Sequence, residues 1–292
     1  MTPDSNNPVQ GAPNGKHQPG IPLSKDIPES PSISDSEEQR EFLKFRLAQA
    51  YRIFGKYGYD EGVAGHITVR DPIRKDCFWV NPWGVHFKLI QPGDLLLVDH
   101  NGAIQQESGP SRLLNRAAYM IHSAIHRNRP DVICAAHSHS IYGRAFSTLG
   151  IPLEPITQDS CAFYEDHIVY ENFKGIVDDK DEGEAIANAL GNNKAAILKN
   201  HGILVATKSI ESAVFFFMSL EKCCRVQMLA DEAASARGIP KANMKIDDES
   251  ARITGAVNGS EKAGWFSGLV EFQLLEHEEG NKYTSRTRSG RL

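Results

Sequence analysis

Residues 131–143 read DVICAAHSHSIYG, an apolar run typical of a buried strand that ends in two histidines and leads into a helix. Residues i and i+2 of a strand point to the same face, so His137 and His139 are predicted to lie side by side. The pair alone has two readings. Strand-end histidines often make ordinary hydrogen bonds, but the same geometry also suits two ligands that hold a common group.

A third histidine follows another apolar run. Residues 194–207 read KAAILKNHGILVAT, which predicts two strands broken at the Asn-His-Gly stretch that contains His201. Gly202 lets the backbone turn tightly or come close to a ligand at this point. Three neutral imidazoles with an open position for water or substrate are the ligand set of a catalytic Zn²⁺ site. The three histidines together therefore predict a metal centre.

Upstream of these segments, a helix is followed by β-rich runs and a second helix. The first helix is capped by Asp35 or Ser36 and is amphipathic as far as the glycines at 55–58. Short strands follow up to residue 106, with an Asn-Gly pair that suits a hairpin turn. Residues 112–128 are predicted to be helical.

Downstream, the same alternation continues. Residues 140–150 predict a short helix that ends at Gly150, and residues 181–193 predict another. Residues 210–237 read as one long helix closed by Gly238 and Pro240. Because strands and helices are interleaved, the class is α/β, with a mixed or antiparallel sheet layered between helices.

The two ends of the chain differ from this domain, which is predicted to span residues 34–240. Residues 1–33 are rich in Pro, Ser, Asn and Gly, and such a composition predicts a disordered tail. Residues 241–292 form a C-terminal extension, in which GWFSGLVEFQLLEHEE (264–279) carries aromatic residues without a local partner. Two readings stay open for it: a strand and helix that pack on their own domain, or an arm at a subunit interface that helps to wall the metal pocket.

Composition limits the classes of partner and compartment. The net charge of −5, without a block of Lys or Arg, gives no reason to expect nucleic acid or an anionic membrane. Five cysteines, two of them adjacent, suggest no disulfide framework. The N-terminus lacks a signal or transit pattern, and no apolar run approaches the roughly 20 residues of a membrane helix. We therefore expect a cytoplasmic protein without a nucleic-acid or membrane partner.

Several ordered motifs resemble the class II aldolase/adducin superfamily. They are HSAIHRNRPDVICAAHSHSIYGRAFSTLG (122–150) and AAILKNHGILVA (195–206), with GVAGHITVRDP and FWVNPWGVHFKLIQPGDLLLVD before them in family order. The resemblance covers about residues 40–235. It implies a three-layer α/β/α fold around a central mixed, mainly antiparallel sheet, and a homotetramer with sites at subunit boundaries. It also implies that His137, His139 and His201 bind a divalent metal, with Zn first and Mn, Fe or Co as alternatives.

The chain departs from the sugar-phosphate aldolases of that family at the catalytic glutamate. Their Ser-Ser-Glu places fall on Arg116, Ala117 and Ala118, and the phosphate-binding asparagine is replaced near His66 by GHIT. HITVR and NRAAYMIHSAI instead resemble the adducin branch. The chain thus keeps the three metal-binding histidines but lacks the catalytic glutamate, which indicates a reaction that differs from sugar-phosphate aldol cleavage.

The resemblance also suggests which residues carry catalysis and substrate binding. Tyr164, supported by Glu165 and Asp159, is the expected catalytic group in the loop ITQDSCAFYEDH, although a plain surface loop is the alternative. His122 is expected behind the ligands, where a hydrogen-bonded core histidine is the alternative, and an aromatic such as Trp83 beside a turn glycine packs more often than it binds. The substrate-binding residues expected on this basis are His66, Trp83, Gly84, Asn115 and His122.

These features predict a metal-dependent C–C lyase. The reaction would be retro-aldol cleavage or decarboxylation through a metal-stabilised enolate, on a hydroxy- or keto-carbonyl substrate without a phosphate. The rival hypothesis is a non-catalytic adducin-like scaffold or interaction protein.

Overall fold

A computed structural model describes residues 27–173, 175 and 180–283, so most of the predicted N-terminal tail lies outside the described residues. One sheet of seven strands forms its centre. The strands are β1 (His66–Arg70), β2 (Cys77–Val80), β3 (Leu96–Asp99), β4 (Cys134–Ser138), β5 (His167–Tyr170), β6 (Ala195–Leu198) and β7 (Gly202–Thr207). Their order across the sheet is β3-β2-β1-β4-β7-β6-β5. Only β5 and β6 run parallel, and every other neighbouring pair is antiparallel.

Helices cover both faces of this sheet. The helices are α1 (Ser36–Tyr57), α2 (Arg116–Asn128), α3 (Ile141–Ser147), α4 (Lys180–Leu190), α5 (Ile210–Arg237), α6 (Asp248–Asn258) and α7 (Glu261–Glu279). Two of them, α2 and α4, pack on one face, whereas α1 and α5 pack on the other. Helix α7 lies over α5 and α1 rather than on the sheet itself. The predicted three-layer α/β/α architecture with a mixed, mainly antiparallel sheet is therefore confirmed.

The central strands are apolar on both faces because both faces are covered. In β4, Cys134 and Ala136 join the core beneath α1 and α5, while Ala135 joins the core beneath α2 and α4. In β7, Ile203 lies in the first of these cores and Leu204 in the second. A strand buried on both sides reads as a continuous apolar run, which is why this part of the sequence shows no alternation.

Helix boundaries follow the capping signals at most ends. The Asp35 side chain accepts a hydrogen bond from the Glu38 amide at the start of α1, and Gly58 ends that helix with a positive φ of 73°. The long helix α5 ends at Arg237 before Gly238, as predicted. Side-chain oxygens satisfy the free amides of a first turn, and glycine tolerates the left-handed conformation that closes a last turn.

The predicted start of the second helix is wrong. Residues 112–115 are not helical, and α2 begins at Arg116. The Trp83 amide donates to the carbonyl oxygen of Leu113 at 2.9 Å, so this segment pairs with the loop after β2. A long-range backbone contact of this kind leaves no local trace in the sequence.

The C-terminal extension forms helices, and the predicted strand is absent from its described residues up to 283. Helix α7 lies against α5 and α1, and it buries Trp265, Phe272 and Leu275. Its acidic side chains pair with α1, where Arg46 contacts Glu276 at 2.7 Å. Phe266, Val270 and Leu274 stay exposed on the same helix, so a role at a subunit interface stays a prediction.

Within the part of the chain that the structure describes, no helix combines the length and the apolar character that a membrane span requires.

The contact between α7 and α5 generates a stability prediction. Gly268 lies against the backbone carbonyl of Glu211, and a Cβ at this position would overlap that oxygen. We expect Gly268→Ala to lower the free energy of unfolding by about 1–3 kcal/mol, since overpacking outweighs the ~1 kcal/mol that alanine gains within a helix. Chemical denaturation measures the change. Gly93→Ala is the matched control, because a Cβ there meets open space; equal stability of both variants would contradict the packing.

Candidate metal centre

The antiparallel pairing of β4 with β7 brings the three predicted ligands together. His137 lies opposite Leu204 in this pairing, and His201 immediately precedes β7. The imidazole centroids are 5.2 Å apart for His137 and His139, 4.7 Å for His137 and His201, and 4.9 Å for His139 and His201. One nitrogen from each ring lies within 4.8 Å of the other two. The histidines therefore converge on one point at the end of the sheet.

The ring orientation of His137 fits a metal ligand. Its Nδ1 is 2.9 Å from the carbonyl oxygen of Ile203, an acceptor, so Nδ1 carries the proton and donates it. The lone pair then lies on Nε2, which is buried and has no hydrogen-bond partner among the described residues. Metal-binding histidines characteristically anchor their second nitrogen to a carbonyl in this way.

The ionisation of the three imidazoles suits the same role. Burial disfavours the charged form, and it lowers the pKa of His137 well below its usual range and that of His201 to about 4. Burial followed by the nearby Arg144 guanidinium lowers the pKa of His139. Neutral imidazoles have the free lone pair that a cation needs. Because metal–nitrogen bonds are about 2.1 Å long, the ligand nitrogens must move closer together than the observed spacing of up to 4.8 Å to hold one cation.

Close backbone packing explains the glycine after His201. A Cβ on Gly202 would lie 2.8 Å from the carbonyl oxygen of Ser138, so a side chain would force β7 away from β4. The preceding Asn200 has a φ of 59°, a conformation in which asparagine is one of the more tolerant residues. The Asn-His-Gly stretch therefore combines a tight turn with a close strand contact.

A buried carboxylate on α5 fixes the segment that follows the H-x-H pair. Glu221 accepts hydrogen bonds from the hydroxyl of Ser140 at 2.6 Å and from the amides of Tyr142 and Gly143 at 2.8 and 2.5 Å. These groups form the beginning of α3, directly after His139. The role of Glu221 could not be predicted from the sequence, because its partners are about eighty positions away and no local pattern connects them.

The three histidines open into a cavity of about 370 Å³. Its other polar lining residues are His66, Asn115, Arg144 and Asn200, and its apolar ones include Ile121 and Phe173. His66 and Asn115 were predicted to line the site, whereas Arg144 and Asn200 were not. Arg144 lies on the adjoining helix, five residues after His139, and this short spacing is the only sequence feature that links it to the site.

A cluster of buried histidines lies behind this cavity. The centroid of the His66 ring lies 4.4 Å from that of His122 and 5.1 Å from that of His137. The hydroxyl of Thr68 lies 2.6 Å from Nδ1 of His122 and 2.8 Å from Nε2 of His126, so it forms a hydrogen bond with each ring. His122 is fully buried behind His66, and it supports the wall of the site rather than lining the cavity.

No carboxylate lines the cavity among the residues that the structure describes. Ala117, at one of the places that align with the Ser-Ser-Glu stretch, does line it and offers only a methyl group. Glu61 stands near the edge, where its Oε2 is 3.4 Å from the Arg144 guanidinium. The geometry thus agrees with the sequence in lacking an acid/base glutamate on α2.

The other predicted residues lie elsewhere within the single chain. The Tyr164 hydroxyl donates to Asp248 at 2.9 Å, and Glu165 pairs with Arg252. Both precede β5, whose first residue aligns with the start of β6, at the sheet end opposite His201. Asp159 precedes the same turn and lines a groove between α5 and α7.

Trp83 and Gly84 also lie outside the described lining of the metal cavity. Trp83 is 43% exposed, and Gly84 occupies a turn with a φ of 90°. In one chain neither residue contacts the space beside the three histidines, so a substrate-binding role for them stays a prediction.

The sequence of this chain is similar to a known protein family and to proteins with assigned names. The family model described as "Class II Aldolase and Adducin N-terminal domain" matches residues 45–228. Decarboxylase NovR of Streptomyces niveus is 44% identical over 239 residues, which cover 81% of this chain and 85% of that protein. The 4-hydroxy-3-prenylphenylpyruvate oxygenase/4-hydroxy-3-prenylbenzoate synthase of Streptomyces roseochromogenus subsp. oscitans is also 44% identical, over 81% of this chain and 83% of its own length.

Solved structures agree with the fold. The L-fuculose 1-phosphate aldolase from Glaciozyma antarctica PI12 superimposes with a TM-score of 0.78 at 44% identity, over 87% of this chain and 96% of that one. An aldolase II superfamily protein from Pseudomonas syringae gives a TM-score of 0.73 at 29% identity, over 82% of this chain and 94% of that one.

The converging imidazoles generate a prediction about metal retention. We expect His137→Ala, His139→Ala or His201→Ala each to abolish tight metal binding, because two remaining imidazoles cannot complete a three-nitrogen site. Elemental analysis of the purified protein measures the metal content. His277→Ala, which removes an exposed histidine on α7, is the matched control and should keep about one metal per chain. Full metal content in any of the three ligand variants would refute the assignment.

Proposed function

The chain belongs to the class II aldolase and adducin superfamily, and from this premise we propose that it is a metal-dependent C–C lyase acting on a carbonyl substrate without a phosphate. Membership and the similarity to proteins named as a decarboxylase and a prenylbenzoate synthase support a lyase-type enzyme. The observation that carries the proposal is the convergence of three neutral histidines in a cavity whose described lining holds no carboxylate.

The residues of the site suit a reaction that needs a sink for negative charge. A divalent cation held by the three imidazoles would stabilise charge that develops on a substrate oxygen. The His137–Ile203 hydrogen bond fixes one ring, and Glu221 fixes the helix beside the second. The amides of Asn115 and Asn200 can hold the substrate in the cavity and orient it.

The missing glutamate favours decarboxylation over aldol cleavage. Retro-aldol cleavage needs a base to remove a hydroxyl proton as the C–C bond breaks. Decarboxylation of a β-keto acid needs no such base, because the electron pair of the broken bond passes to the neighbouring carbonyl and CO₂ departs. Protonation of the resulting enolate can use a solvent proton. A site with a charge sink but without a glutamate on α2 therefore suits decarboxylation.

The finer assignments belong to the same proposal. We take Zn²⁺ as the first choice of metal, with Mn, Fe or Co as alternatives, and a cytoplasmic homotetramer as the working form. A catalytic role for Tyr164 and Glu165 requires a neighbouring subunit, since within one chain both side chains face α6. An adducin-like scaffold remains the rival hypothesis, and it predicts that the purified protein retains no metal.

The name of one relative favours a second candidate reaction. The relative from Streptomyces roseochromogenus is named an oxygenase as well as a synthase. Three histidines with open positions also suit Fe²⁺, so oxidative C–C cleavage with O₂ as co-substrate is the alternative. Oxygen uptake by the Fe²⁺-loaded protein in the presence of an aromatic 2-keto acid would favour it over simple decarboxylation.

The proposal predicts a choice between two substrates. We expect the metal-loaded protein to decarboxylate benzoylacetate, an aromatic β-keto acid, faster than the free metal ion does, with acetophenone and CO₂ as products. We expect only background cleavage of L-fuculose 1-phosphate, since neither the serine pair nor the glutamate of the aldolases is present. Coupled assays measure both rates, and His137→Ala is the inactive control. Vigorous cleavage of the sugar phosphate would contradict the proposal.

The tyrosine assignment has its own test. Tyr164→Phe removes a hydroxyl that pairs with Asp248 on the protein surface, so the fold and the metal content should stay unchanged. A catalytic role in a neighbouring site predicts a loss of kcat of about 10²-fold or more. Tyr57→Phe, which removes another exposed tyrosine hydroxyl, should retain activity. If both variants turn over normally, Tyr164 is a surface residue.

A further inference from the structure

Arg144 is the one side chain with a fixed positive charge among the described residues that line the metal cavity. It lies on α3, five residues beyond His139, and about two fifths of its side chain is exposed. A guanidinium in this place offers several donors to an anion beside the three histidines.

The contact that Arg144 makes in the free protein is weak. Glu61 approaches it at 3.4 Å, which is longer than the 2.7–2.9 Å typical of charge-assisted hydrogen bonds. About half of the Glu61 side chain is exposed, and exposed ion pairs contribute little to stability. Glu61 does not line the cavity itself. The guanidinium can therefore exchange this carboxylate for one that enters with a ligand.

The remaining lining favours a carboxylate over a phosphate. A phosphate monoester needs several donors around its oxygens. Ala117, at one of the places that align with the aldolase serines, offers none. Ile121 and Phe173 instead present apolar surface across the same cavity. The space thus combines one guanidinium, two amides and an apolar wall.

We propose that Arg144 binds the carboxylate of the substrate, with Glu61 as the internal carboxylate that it releases. This inference rests on the proposed function and specifies it: the substrate is a carboxylic acid with an apolar, aromatic or branched body. Arg144 acts here in recognition and orientation, because it places the carboxylate while the carbonyl or hydroxyl oxygen faces the three histidines.

Salicylate and salicylamide form a matched pair of probes, because they differ only in the carboxylate. Titration calorimetry is performed with each probe on the metal-loaded and the metal-free protein, so that binding to the metal is separated from binding to Arg144. Arg144→Gln should weaken salicylate binding about tenfold or more in both forms and leave salicylamide binding unchanged. Arg144→Lys keeps the positive charge but loses the paired N–H donors of the guanidinium, so its salicylate affinity should fall between those of Arg144→Gln and the wild type.

Glu61→Gln provides a test of opposite sign. Removing the internal competitor should tighten salicylate binding by about twofold to fivefold, since an exposed ion pair is weak. Glu107→Gln is the matched control, because Glu107 also pairs with an arginine, Arg74, at 3.6 Å, but lies outside the cavity lining. Metal content and the melting temperature of each variant show that the site and the fold are intact.

Several outcomes would overturn the inference. These are an absence of salicylate binding in the wild type, equal loss of both probes in Arg144→Gln, and weaker salicylate binding in Glu61→Gln. Competition by inorganic phosphate at the affinity of salicylate would also overturn it, since the site would then read any oxyanion. If salicylate binds through Arg144 but benzoylacetate is not decarboxylated, the proposed reaction fails and the carboxylate site stands.

Discussion

The register between β4 and β7 is the constraint on which the site depends. Antiparallel pairing sets His137 opposite Leu204, and the hydrogen bond from its Nδ1 to the Ile203 carbonyl uses the backbone of the neighbouring strand. A slip of one residue would turn His137 to the other face of the sheet and remove it from His201. The apolar layers on both faces oppose such a slip, because it would exchange the side chains of the two cores.

Burial then determines the chemistry of these side chains. The imidazoles lie where desolvation opposes protonation, and the pKa values of all three ligands are lowered. Burial likewise keeps a second group of histidines neutral beneath the cavity. Thr68 forms hydrogen bonds with His122 and His126, and the His66 ring packs against His122. Aliphatic residues at this end of the sheet could fill the same space, but they would provide no metal ligands.

Much of this arrangement could be predicted from local patterns. The H-x-H pair, the Asn-His-Gly turn and the long α5 helix each have signals within a few residues, and the resemblance to a family placed them in one fold. Glu221 and Glu61 could not be assigned in this way, because their roles come from contacts between distant elements. Arg144 lies only five residues after His139, but nothing in this spacing indicates that its side chain reaches the cavity. Tyr164 shows the converse: its motif is recognisable, yet the register of β5 places it at the far end of the sheet within one chain.

The binding of one cation between the three histidines can be tested by anomalous diffraction from crystals of the metal-loaded protein, recorded on both sides of the absorption edge of the metal. We expect a single anomalous peak per chain about 2.1 Å from one nitrogen each of His137, His139 and His201. A peak at another cluster, with nothing at this position, would show that these histidines do not hold the metal.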